Sequence, residues 1–181
     1  KTFADQAVIA IENVRLFNET KEPPERQTAT SEILQVISSS QTDIQPVFEA
    51  IAAKALDLCK ARTGTVFRFD GELVHLAATH SLSPDAVDFL RQSYPMPPGR
   101  GGGAARAVLS RAIVYISDIR EDPEYRLQAT AKAGGYLSVL AVPMLRQGQP
   151  IGAVAVGGAE AGAFSQKQVA LLQTFADQAV I

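Results

Sequence analysis

The octapeptide Thr-Phe-Ala-Asp-Gln-Ala-Val-Ile stands at both ends of the chain, from Thr2 to Ile9 and again from Thr174 to Ile181. Chance does not place the same eight residues at opposite ends of a 181-residue chain, and self-similarity at a fixed spacing is the mark of repeated modules. Solenoid units run to only ~20–50 residues, so this spacing is that of a domain plus the helix that leaves it. The chain therefore reads as one repeat of a longer tandem protein, starting in the exit helix of one copy and stopping in that of the next. Phe3, Ala7, Ala10, Val14 and Phe17 recur with the 4-3-4-3 spacing of a heptad seam. Ala4, Val8, Ile9, Ile11 and Leu16 widen the apolar surface to a second flank, as in a helix that packs on its own domain and on a partner as well. Two heptads also fit an ordinary amphipathic helix on a single core. Taken with the repeat, the seam favours a dimer-forming linker, with contacts from Phe3, Ala7, Ala10, Val14 and Phe17 and, at the second copy, from Leu172, Phe175 and Ala179.

Pro23-Pro24 breaks the first helix, because proline lacks the amide donor and clashes with the preceding turn. A second helical stretch is expected over 27–39, and the spacing places an inter-domain linker over residues 1–40 and a domain over 41–181. Thr42 and Gln45 have the form of a capping box, followed by an amphipathic helix to about Ala61. The period then changes from 3.6 to 2. Two strands flank Asp70-Gly71, the strongest short hairpin signal. Ser83-Pro84 opens a short helix from Asp85 to Gln92, and the segment from Tyr94 to Gly103, rich in proline and glycine, reads as a loop. A helix from about Ala104 to Arg111, a strand over Ile113 to Ile116 and a loop with a turn or two of helix ending at Gly134-Gly135 come next. Leu137 to Leu145 and Ile151 to Val156 alternate with apolar residues on both faces, which places them centrally in a sheet covered on both sides. Ser165 and Gln168 open the last helix as a second capping box. The order gives an α+β domain with an antiparallel sheet of five or six strands, terminal helices together on one face and short helices and loops on the other.

A formal net charge of −2 lacks the positive excess that phosphate contacts require, which argues against nucleic acid as the main partner. No apolar run approaches the ~18 residues of a membrane span, so no direct membrane contact is expected. Cys59 is the single cysteine, which excludes an internal disulfide and a thiol pair for redox turnover, and fits a reducing cytoplasm. It lies on the apolar side of a helix, as a small core residue does. His75 and His80 are five apart, so a regular strand would point them to opposite faces; structural histidines, rather than metal or haem ligands, are the expectation.

In their order, several segments resemble the GAF domain of bacterial signalling proteins. They are Gly64 to Asp70 for the first strand, Pro98-Gly99-Arg100-Gly101 leading into Ala105 to Leu109, Val114 to Ile119, Asp122-Pro123-Glu124-Tyr125, and Ser138 to Met144 followed by Gly152. The resemblance covers about Asp43 to Ile181, and the ends look like the linkers between tandem GAF domains in sensor histidine kinases; similar linkers precede nucleotide-cyclase output domains. It implies a sheet-and-loop pocket for a small molecule or chromophore, or a module that only dimerises. The cyclic-nucleotide pattern of the family is not found, no cysteine stands where a covalent bilin would need one, and the methionine-sulfoxide-reducing members need at least two cysteines. The cofactor is thus unknown, with no bilin, no cyclic nucleotide and no metal expected.

Gly99 to Ala104 superficially matches a dinucleotide fingerprint, but it follows a proline loop and not a strand. A glycine-rich helix entry could hold an anion on free amides, helped by Arg100 or Arg106; solvated arginines on a flexible loop are the plainer alternative. No catalytic constellation is visible. The expectation is a non-catalytic sensory module whose pocket is lined by Phe67, Tyr94, Arg100, Asp118, Tyr125, Tyr136, Ser138 and Leu140. Its partners would be a second copy of the chain through the terminal helices, and the adjacent GAF and output domains. The alternatives are a structural spacer without ligand and an enzyme in its own right.

Overall fold

Several boundaries in the fold follow local rules of the sequence. The structure, a computed structural model, describes residues 44–180. The first octapeptide, the seam expected from Phe3 to Phe17, the helix expected over 27–39, the linker over 1–40 and Thr42 lie outside the described residues. Helix α1 (Gln45–Cys59) carries Pro46 in its first turn, where the missing amide breaks no helical bond. It buries Ile51, Ala52, Ala55 and Cys59 along one side and ends at Lys60 in the left-handed conformation. Gln45 is its first residue, not the third position that the expected capping box requires, and its side-chain amide donates to the Ala77 carbonyl at 3.0 Å.

Strands β1 (Thr63–Phe69) and β2 (Val74–His80) form the expected hairpin. Asp70 Oδ1 accepts the amides of Glu72 and Leu73 at 2.9 and 2.8 Å, while Oδ2 meets His75 Nε2 at 2.6 Å. Those bonds, the backbone ones foremost, hold the Asp70 carboxyl well below the usual range. Gly71 supplies the positive φ of the turn. A bulge interrupts the pairing: Val66 lies opposite Ala78 and Phe67 opposite Leu76, leaving Ala77 as the extra residue. It shifts the alternation by one. His75 and His80, paired with Arg68 and Gly64, therefore share the face that packs on α1 and do not point oppositely as a regular strand would make them.

After β2 come α2 (Pro84–Ser93), capped by Ser83 through the Ala86 amide, and α3 (Gly103–Ser110), whose N-cap Gly102 offers no side chain. Strand β3 (Val114–Ile116) and helix α4 (Gln128–Gly134) precede β4 (Ser138–Arg146) and β5 (Gln149–Gly158). The β4–β5 turn needs only Gln147 and Gly148, both at positive φ, the conformation that matches the twist of a two-residue hairpin. Helix α5 (Gln166–Ala179) opens with the full Ser165–Gln168 capping box. It carries most of the second octapeptide.

The five strands form one antiparallel sheet in the order β2-β1-β5-β4-β3. One core lies between this sheet and the pair α1 and α5, and holds Val66, Leu140, Val142, Val154, Leu172 and Phe175. Gln168 ties the pair together by donating to the Cys59 carbonyl at 2.7 Å. The other core lies between the opposite face and α2, α3, α4 and their loops, around Phe67, Leu90, Tyr94, Ala104, Tyr125, Leu127 and Val139. Among the described residues no helix is long and apolar enough to cross a membrane.

Candidate functional site

The second core is not completely filled. Alternation along β1 brings Thr63, Thr65 and Phe67 to one face, and with Val139 and Ala155 they floor a cavity of about 40 Å³. Its roof consists of Leu90 and Tyr94 at the end of α2, Gly103 and Ala104 at the start of α3, and Tyr125, Leu127, Thr130 and Tyr136. Glycines make the approach of these elements possible. A Cβ on Gly103 would stand 2.6 Å from Val139 Cγ1, and one on Gly157 would stand 2.9 Å from the Tyr136 ring. The volume suits about three waters at ~10–15 Å³ each, well below the ~300–1,000 Å³ of a drug-sized ligand site.

Three tyrosines give the cavity its polarity. Tyr125 and Tyr136 join hydroxyl to hydroxyl at 3.0 Å. Tyr94 stacks obliquely on Phe67, with ring centroids 4.7 Å apart and planes at 41°, and its hydroxyl is buried without a hydrogen-bond partner. The Ala105 amide faces that oxygen and favours its ionised form without making a bond of normal geometry. Burial dominates, however, and pushes the Tyr94 and Tyr125 hydroxyls well above the usual phenol range and Tyr136 up to about 12. All three keep their protons at any physiological pH, and in the Tyr125–Tyr136 pair one hydroxyl accepts from the other.

Of the eight residues expected to line a pocket, Phe67, Tyr94, Tyr125 and Tyr136 converge on this cavity. The other four do not. Ser138 donates to the Glu160 carbonyl at 2.8 Å, and Leu140 is fully buried in the core beneath α1 and α5. Arg100 meets Glu124 at 2.5 Å on the surface. Asp118 is paired with Arg120 at 2.6 Å, which holds its carboxyl at about 2. Arg106 bonds Asp122 at 2.7 Å and the Arg100 carbonyl, and so fastens the glycine loop instead of facing an anion. Thr63, Thr65, Leu127 and Thr130 were not anticipated; the first two were legible from their alternation with Phe67.

The expected dimer contacts divide similarly. Leu172 and Phe175 are buried in the chain's own core, which removes them from any seam with a partner. Ala179 packs half-buried against the same core. Cys59 is buried on that side too, across the sheet from the cavity, and burial pushes its thiol up to about 12. Among the described residues, no cluster of His, Cys, Asp and Glu could hold a metal ion. A second, open groove of about 350 Å³ follows the outer edge of β2 between Gln45 and Glu49 of α1 and Val87 and Arg91 of α2.

The family model for the GAF domain matches residues 41–181. Comparison with curated proteins finds no match. Among solved structures, the chain is similar to the GAF domain of a phosphoenolpyruvate-protein phosphotransferase from Coxiella burnetii, at 16% identity and TM-score 0.70, covering 86% of this chain and 90% of that one. A domain of a putative two-component sensor histidine kinase from Sinorhizobium meliloti is similar at 15% identity and TM-score 0.61, covering 77% of this chain and 90% of that one. Free methionine-R-sulfoxide reductase from Neisseria meningitidis, in complex with its substrate, is similar at 16% identity and TM-score 0.65, covering 89% of this chain and 90% of that one. At these identities the likeness is one of fold.

Proposed function

The chain belongs to the GAF domain family, and we propose that it serves as a non-catalytic sensory module of a larger signalling protein. It takes up a small ligand between the sheet and the covering loops and passes the change to its terminal helices. The observation that carries this reading is the Tyr94 hydroxyl, a buried donor with no acceptor, in a cavity that three separate elements close. A buried polar group left unpaired costs stability, and a ligand that supplies the acceptor offsets that cost. The reading as a non-catalytic module is supported by the lining, which contains no nucleophile–base pair and no carboxylate. Cys59 lies on the far side of the sheet, which speaks against a cysteine-dependent reduction like that of the reductases sharing the fold.

The terminal helices are the output of this reading. In a tandem protein they run into neighbouring GAF domains and on to a histidine kinase or nucleotide cyclase, and pair two copies of the chain in the cytoplasm. With Leu172 and Phe175 turned inward, the pairing rests on Phe3, Ala7, Ala10, Val14 and Phe17 and on the outer side of α5. Multi-angle light scattering tests it: a dimer that Phe3→Asp and Phe17→Asp together dissociate supports the seam, and a monomer at high concentration sinks it. The small cavity favours a second reading, a spacer with a filled core and no ligand. Native mass spectrometry of gently purified protein separates the two. A co-purifying small molecule supports sensing, and its absence from preparations in several growth media supports the spacer.

A further inference from the structure

The chemical class of the ligand can be read from the atoms that face the cavity, and this step rests on the sensory reading above. Helix α3 starts at the cavity wall. The first amides of any helix have no acceptor within it, and the N-cap Gly102 has no side chain to supply one. Gly103 and Ala104, which carry two of those amides, line the cavity. Independently of the helix end, Tyr94 is only 5% exposed and its hydroxyl lacks an acceptor. That oxygen lies 3.1 Å from where a Cβ would stand on Gly102, so it sits at the N-cap itself. Two kinds of donor, on two elements, thus stand side by side at the cavity, and among the described residues the Tyr94 hydroxyl has no protein acceptor.

We propose that the cavity takes a small uncharged molecule with a carbonyl-type oxygen, seated between the Tyr94 hydroxyl and the first-turn amides of α3, its apolar body against Phe67, Leu127 and Val139. Three features set this class. The free groups are donors, so the ligand contributes an acceptor. The lining contains no lysine or arginine, and the partial charge of one helix end does not replace the solvation that a full negative charge would lose. A cation fares worse, since it meets donors and the positive end of the helix. The volume keeps the ligand to a few non-hydrogen atoms unless the roof opens.

The test uses the full 181-residue chain and three four-carbon probes of similar size: butanone, butyrate and butylamine. Binding is followed in two-dimensional amide NMR at Gly103 and Ala104. Butanone is expected to move both amide protons downfield and saturably. Tyr94→Phe, which keeps the ring, is expected to weaken that binding about tenfold, the effect of one hydrogen bond to a buried partner. Tighter binding of butyrate or butylamine at the same amides overturns the uncharged-acceptor class and leaves the sensory reading standing. Equal butanone binding by the Tyr94→Phe protein overturns the placement of the oxygen. No saturable shift with any probe overturns the proposal, and the sensory reading falls with it only if native mass spectrometry also finds no co-purifying molecule.

Discussion

Replacing Tyr94 by phenylalanine is expected to make the ligand-free protein more stable. The hydroxyl is buried and has no hydrogen-bond partner, and a buried polar group in that state costs about 1–3 kcal/mol. Two smaller losses oppose the gain. Removing one oxygen enlarges the cavity by ~10 Å³, which at ~24 cal/mol per Å³ costs about 0.2 kcal/mol. The weak attraction to the Ala105 amide is worth about 0.5 kcal/mol at most. The ring stays on Phe67 in either protein. The balance is a stabilisation of about 1 kcal/mol, or roughly 3 °C in melting temperature for a domain of this size. Thermal unfolding followed by circular dichroism, checked by urea midpoints at constant slope, measures it. An unchanged or lower melting temperature refutes the reasoning, because it means that the hydroxyl already has a partner such as an ordered water.

Tyr125→Phe should have the opposite sign, because it strands the Tyr136 hydroxyl; we expect a loss of about 2 kcal/mol in urea unfolding, largely recovered when Tyr136→Phe is added. Gly64→Ala should cost about 3 kcal/mol by overpacking, since the new methyl would stand 2.3 Å from the Ala52 carbonyl oxygen and lift α1 off the sheet; a near-neutral result would mean that α1 is not seated as described. Asp70, Asp118 and Asp122 all have folded-state carboxyls below their unfolded value, through turn amides, Arg120 and Arg106 respectively. Their contribution is therefore present above about pH 4, the usual unfolded carboxylate value, and lost as pH falls toward 2. Urea midpoints should drop across that window, and Asp118→Asn should flatten part of the fall.

The sequence was most informative where one side chain dictates a conformation. Ser83 and Ser165 capped their helices as expected, and Asp70-Gly71 turned the first hairpin. The alternation in β4 separated Val139 and Ala141 from Leu140, Val142 and Met144, as the two cores require. Alternation says which residues share a face, but not which face meets the loops. Ser138 and Leu140 were for that reason assigned to the cavity when they point away from it. The histidines failed for another reason. The bulge at Ala77 lies in the run Ala77-Ala78-Thr79, which has no glycine or proline to announce it. Arg100 and Asp118 looked like ligand groups because their partners, Glu124 and Arg120, are identifiable only once the loops are folded. Phe175 shows the limit of heptad reading, since one apolar stripe serves a chain's own core or a partner equally well.

Val139 and Leu140 are neighbours in the chain but belong to different halves of the molecule. Val139 lies against Gly103 at the cavity, while Leu140 is enclosed with Leu172 and Phe175 under α5. A single peptide bond connects the two environments, and close-packed interiors have little free volume in which to absorb strain. On the sensory reading proposed above, a ligand that pushes the start of α3 toward β4 would be felt at the seat of α5, with the sheet acting as a thin diaphragm and not as a wall.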